Sequence, residues 1–134
     1  MKNKKSILLI VGLSLGVALM HFIIGPDYSG IFENFVRGYL IDLILPLNLY
    51  LLLQISLRKK TSIGKSRMIG AFFTFSFGII VEILQLLKIK FLGTTYDPLD
   101  IVMYGTGIIL GLLGDYTIID KFENQHHWWA IKTH

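Results

Sequence analysis

The chain has 134 residues, 53% of them hydrophobic, with a mean hydropathy of +0.61, which is too apolar for an ordinary soluble domain and leaves no length for a catalytic domain outside a membrane. Cysteine is absent, which excludes disulfides, thiolate metal sites, cysteine nucleophiles and a lipid anchor on cysteine. The net charge of +4 and pI near 9.4 would suit nucleic acid, but the basic residues sit at the ends of apolar runs, where they orient a membrane protein instead.

Lys2, Lys4 and Lys5 precede an uncharged run from Ser6 to Ile24. It exceeds the apolar core of a signal peptide and lacks a small-x-small cleavage site, so it is predicted as a first crossing. His21 near its far end reads as a satisfied or solvated interfacial histidine. Gly25 to Asn34 holds turn residues with Asp27 and Glu33 but no Lys or Arg, and reads as a short outer loop. The second run, Phe35 to Leu57, is apolar apart from Arg37, Asp42, Asn48 and Gln54. Pro46 frees the carbonyl of Asp42 from the helical ladder and predicts a kink. Arg37 and Asp42 are about 140° apart around a helix, which leaves open both a poorly aligned direct pair and partners on neighbouring helices.

The segment RKKTSIGKSR, Arg58 to Arg67, is predicted as a basic loop that sets topology and meets anionic lipid. Met68 to Leu87 is the third crossing, with Glu82 and Gln85 on one face and Phe72, Phe73, Phe75 and Phe77 as lipid-facing or packing residues. Beyond a loop from Phe91 to Pro98, Asp97 is predicted as N-cap and Pro98 as first residue of a fourth crossing that reaches about Tyr116. Asp97, Asp100, Tyr104, Gly107 and Gly111 form one stripe on it. The Gly107 and Gly111 pair predicts close approach of a neighbouring helix and a central place in the packing. Residues 117–134 are expected to form a cytoplasmic interfacial tail, in which Trp128 and Trp129 suit a membrane interface. His126 and His127 there read as a solvated pair rather than a metal site.

The fold class expected is an all-α membrane protein, a compact bundle of four transmembrane helices forming a single domain over 1–134. The lysines and arginines cluster before the first run, between the second and third, and after the fourth, so the protein is expected in the cell membrane with both termini cytoplasmic. That orientation brings Arg37, Asp42, Glu82, Gln85, Asp97 and Asp100 to one outer level, with Tyr104 just below. Ionisable groups at that depth cost about 2.5 to 3.5 kcal/mol each on insertion scales, which makes them functional candidates by default.

Three chemistries stay open for such a cluster. It could grip the head of a lipid or lipid-linked sugar, with Arg37 forking a phosphate and the acids taking hydroxyls or a divalent cation. Glu82 and Asp100 could act as acid and base in a hydrolysis or transfer. The acids could relay protons or cations, although only Asn48 and Gln54 extend a polar route towards the cytoplasm. Against all three stands a structural reading: Asp97 and Asp100 as helix caps, Glu82 with Arg37 as an interhelical lock, and Tyr104 and Gln85 as hydrogen-bonding glue.

The segments FGIIVEILQ from Phe77 to Gln85, TYDPLDIVMYGTGIILG from Thr95 to Gly111 and VRGYLIDLILP from Val36 to Pro46 resemble the VanZ-like family of small bacterial membrane proteins, especially an uncharacterised sister group. Lys88 and Lys90 stand where the family usually has an arginine, and Tyr104 where it has an asparagine. The resemblance implies a compact helical protein of the cell envelope, in a family whose name-giving member is linked to low-level glycopeptide resistance. It implies no reaction. The reading that follows is an outward polar site of Arg37, Asp42, Glu82, Gln85, Asp97, Asp100 and Tyr104, with membrane lipids and a lipid-linked cell-wall precursor as expected partners. Nucleic acid is not expected, nor a resident cofactor, with a divalent cation at the carboxylates left open.

Overall fold

A computed structural model describes residues 4–24, 28–89 and 96–121. The described residues are mostly helical, with no strand among them. The elements are α1 (Lys4–Ile24), α2 (Glu33–Gly38), α3 (Leu40–Lys60), α4 (Ile63–Leu86) and α5 (Pro98–Gly114), the last continued by a π-helical turn, Asp115–Ile119. Three helical stretches are long and apolar enough to cross a membrane: Leu40–Lys60, Ile63–Leu86 and Pro98–Ile119.

Polarity is inverted relative to a water-soluble bundle. Phe72, Val102, Ile109 and Leu113 face outwards, more than half exposed, while Gln54, Arg58, Ser66, Thr74, Glu82, Gln85 and Asp115 are buried. In water such an arrangement would expose the apolar surface and desolvate the charges together. In hydrocarbon it is the favourable distribution, and this is the build of a helical membrane protein. Phe72, Phe73 and Phe75 are exposed, as lipid-facing residues should be.

Helices α3 and α5 run parallel and α4 antiparallel to both. The glycines of α5 set the α3–α5 distance: a Cβ at Gly107 would strike the backbone carbonyl of Leu43, and one at Gly111 would lie 2.8 Å from the Tyr50 ring. Small residues let backbones approach where apolar burial gives no driving force between helices. Helix α4 uses the same device, since Gly78 lies under the Tyr104 ring and Gly70 against Gln54 and Tyr50. The centre of the packing is α3 rather than the last crossing, because α1, α2, α4 and α5 all touch it. Ile10 of α1 joins Tyr50, Leu51 and Ile119 in the apolar core.

Several boundaries differ from those expected. The predicted ten-residue basic loop is mostly helix: α3 runs on to Lys60 and α4 begins at Ile63, so only Thr61 and Ser62 connect them. Lysine and arginine end an apolar run without ending a helix, being good helix formers. The second run divides at Tyr39 into α2 and α3, with Phe32 before α2 in the left-handed region at φ 63°. The last helix also passes Tyr116 and reaches Lys121. His126, His127, Trp128 and Trp129 lie outside the described residues, and the side chain of His21 is likewise not described.

Candidate functional site

Two polar centres occupy opposite ends of the α3–α4–α5 interface. The first, the carboxylate end, gathers most of the expected residues. Asp97 caps α5, its Oδ1 accepting from the Leu99 N–H at 2.9 Å, with Pro98 following in the first turn. Its other oxygen, Oδ2, accepts from the Tyr39 hydroxyl at 3.1 Å, so the capping residue also ties α5 to the start of α3. That hydrogen bond, and the negative charge of Asp97, push the Tyr39 phenol above its ordinary value by opposing the phenolate.

About two turns further in, the Tyr104 hydroxyl donates to Glu82 Oε1 at 2.8 Å, and Asp42 stands against the same tyrosine from α3. Glu82 is 2% exposed, and its Oε2 has no hydrogen-bond partner. Gln85 is buried beside it on α4 with its Oε1 also unpartnered. Asp42, Asp97, Asp100 and Glu82 lie within electrostatic range of one another. A cleft of about 30 Å³ opens beneath them, lined by Asp42, Pro46, Thr74, Phe77, Gly78 and Tyr104 among others. At about 10 to 15 Å³ per molecule, it holds roughly two waters or one small polar group. Thr74 is 1% exposed and its hydroxyl is unpartnered, at the wall of this cleft.

Arg37 does not belong to this cluster. It lies on α2, half exposed, and its Nη1 donates to Glu33 Oε1 at 2.7 Å within the same short helix. The division at Tyr39 separates α2 from α3, and a carboxylate one turn away is the nearer partner. The expected Glu82–Arg37 lock is therefore not formed, nor is a pair between Arg37 and Asp42. The site is left acceptor-rich and short of donors. Among the described residues no group of three or more metal-ligating side chains is close enough to hold an ion.

The second centre was not expected. Arg58 at the end of α3 and Arg67 at the start of α4 meet Asp115 and Asp120 in and just beyond the π turn. Arg58 Nη2 to Asp115 Oδ1 is 2.5 Å and Arg58 Nη1 to Asp120 Oδ1 is 3.1 Å. Arg67 Nε to Asp115 Oδ2 is 3.0 Å and Arg67 Nη2 to Asp120 Oδ2 is 2.5 Å. Each acid thus bridges both bases, and the quartet is neutral. Tyr50 adds a hydrogen bond to Asp115 Oδ2 at 3.1 Å, and the Arg67 guanidinium lies over the Tyr116 ring at 5.1 Å. The π turn makes the quartet geometrically accessible. Residues five apart on an α-helix point about 140° away from each other, whereas the widened turn, closed by Asp120 N–H to Asp115 C=O, stacks them.

A signal for this centre exists in the chain. Asp115 lies four residues beyond Gly111 and so continues the stripe of Asp100, Tyr104, Gly107 and Gly111. Tyr50, Gln54 and Arg58 repeat at the same interval on α3, as do Ser66, Gly70, Thr74, Gly78 and Glu82 on α4. Reading Arg58 and Arg67 as parts of a topology-setting loop hid that periodicity.

Fold and site together define a helical membrane protein with a buried acidic centre at one end and a closed ion quartet at the other. Comparison with protein-family models, curated proteins and solved structures finds no match to this chain.

Proposed function

We propose that this is a VanZ-like integral membrane protein of the bacterial cell envelope that binds the polar head of an envelope lipid or lipid-linked cell-wall precursor. In this reading α1 is a fourth crossing, both termini are cytoplasmic, and the carboxylate end faces outwards. The observation that carries it is the unpartnered Glu82 Oε2, 2% exposed, on the carboxylate whose other oxygen holds Tyr104, a wall of the cleft that Asp42 also lines. A buried carboxylate oxygen without a donor gains most from a ligand that brings one. Ammonium and hydroxyl groups fit that demand, whereas phosphate is repelled by the acids. Arg37 on its separate helix leaves the phosphate outside the cluster.

The test is titration of the purified protein in nanodiscs with an amine-headgroup phospholipid and with a polyprenyl-linked sugar. Glu82→Gln and Asp42→Asn should each weaken binding by about tenfold, the order expected for losing one charge-assisted hydrogen bond. Well-folded variants that bind as tightly as the native protein would remove this reading.

A further inference from the structure

We propose that the α3–α4–α5 interface carries a proton relay that leads from the carboxylate cluster inwards to the ion quartet, with the quartet as its plug.

The polar groups of this interface are arranged in series. Asp42, Glu82 and Tyr104 form the entrance, and the cleft beneath them reaches Thr74. Two turns further along α4 the Gln54 amide donates to the Ser66 carbonyl at 3.1 Å, and the Tyr50 hydroxyl beside it reaches Asp115. From Glu82 to Thr74 and from Thr74 to Ser66 is eight residues each, or about 12 Å per step along the helix. Gly70, Gly78, Gly107 and Gly111 occupy the intervening turns, where Gln54, the Tyr50 and Tyr104 rings and the Leu43 backbone pack against them, so the polar side chains of α3 and α5 lie directly on α4.

The column also leaves hydrogen-bonding capacity unused at each stage. Glu82 Oε2, Thr74 Oγ1 and Gln54 Oε1 are buried without partners, on side chains 2%, 1% and 0% exposed. A purely structural polar core satisfies such atoms, because each one left open in an apolar medium costs about 1 to 3 kcal/mol. Thr74 lies on the wall of the cleft, which has room for water, and in this proposal water also attaches at the unpartnered oxygens on either side of it. Protons would pass from Asp42 or Glu82 through the Tyr104 hydroxyl and cleft water to Thr74. They would continue by water held at Gln54 Oε1 to Tyr50 and leave where the quartet opens to solvent. Every step moves one proton between oxygens, with no other bond made or broken. The neutral, doubly bridged quartet excludes hydrated ions when closed, and its π turn is a rare helix geometry frequent at functional sites. This inference shares the cleft with the headgroup reading but requires no bound lipid.

Proteoliposomes of the full chain, loaded with a pH-sensitive dye and given a valinomycin-clamped potassium gradient, test it. The native protein should raise proton entry clearly above that of protein-free vesicles. Gln54→Leu lies outside the headgroup cleft, so it should abolish this flux while leaving headgroup binding intact. Thr74→Val should also abolish it, and Thr74→Ser, which restores the hydroxyl, should restore it. Native vesicles no leakier than empty ones overturn the proposal. So does undiminished flux through folded Gln54→Leu protein, or flux of sodium without protons.

Discussion

Asp115, with no exposed surface, accepts from the Arg58 guanidinium at 2.5 Å, across the ends of two helices 57 residues apart in sequence. The pair is fully enclosed, with Arg58 and Asp115 side chains 2% and 0% exposed. Its worth lies in completeness rather than in attraction alone, since desolvation offsets much of the Coulomb energy. Asp115 serves Arg58, Arg67 and Tyr50 at once, so removing it strands several donors.

Asp115→Ala should therefore be among the most destabilising single changes in the chain. Breaking a buried pair by deleting one partner costs about 3 to 5 kcal/mol, and here two cations lose a partner. Thermal unfolding in detergent would show it as a large fall in midpoint, and double substitution of Asp115 and Arg58 by residues of similar volume should recover much of the loss. A small effect of Asp115→Ala would mean that the quartet is not enclosed.

Gly107→Ala should loosen the α3–α5 contact. The added methyl meets the Leu43 carbonyl, a backbone atom that cannot swing aside, so the two helices must separate. Overpacking of this kind costs about 1 to 3 kcal/mol. Gly105→Ala, on the same helix with open space around it, is the matched control and should change little. The difference in unfolding midpoint between the two variants is the measurement.

Arg37→Ala should be nearly silent. An exposed pair one helical turn apart contributes about 0.3 to 0.5 kcal/mol, and Arg37 touches Glu33 rather than the acidic cleft. Stability and headgroup binding should both stay near native values. A loss of binding comparable to that of Glu82→Gln would place Arg37 back in the site.

Much of the architecture was legible in the chain because bilayers impose a simple rule on it. Runs of about 20 apolar residues, the cap formed by Asp97 and Pro98, and the glycine pair at 107 and 111 are local signals, and three of the four expected membrane-length helices, the cap and the close approach follow from them. The convergence of Asp42, Glu82 and Tyr104 was also foreshadowed by their common depth. Depth is fixed by counting residues along a helix, so sequence alone determines it.

Azimuth and partner choice are a different matter, and the tertiary structure decided both. Arg37 was at the right level but on the wrong element, because the division at Tyr39 gave its guanidinium a carboxylate one turn away. Arg58 and Arg67 looked like loop charges, yet the two-residue connection and the π turn bring them onto Asp115 and Asp120. Whether a charge is solvated or paired depends on which helices become neighbours and how each is rotated. That information resides in contacts between segments and not in any one of them.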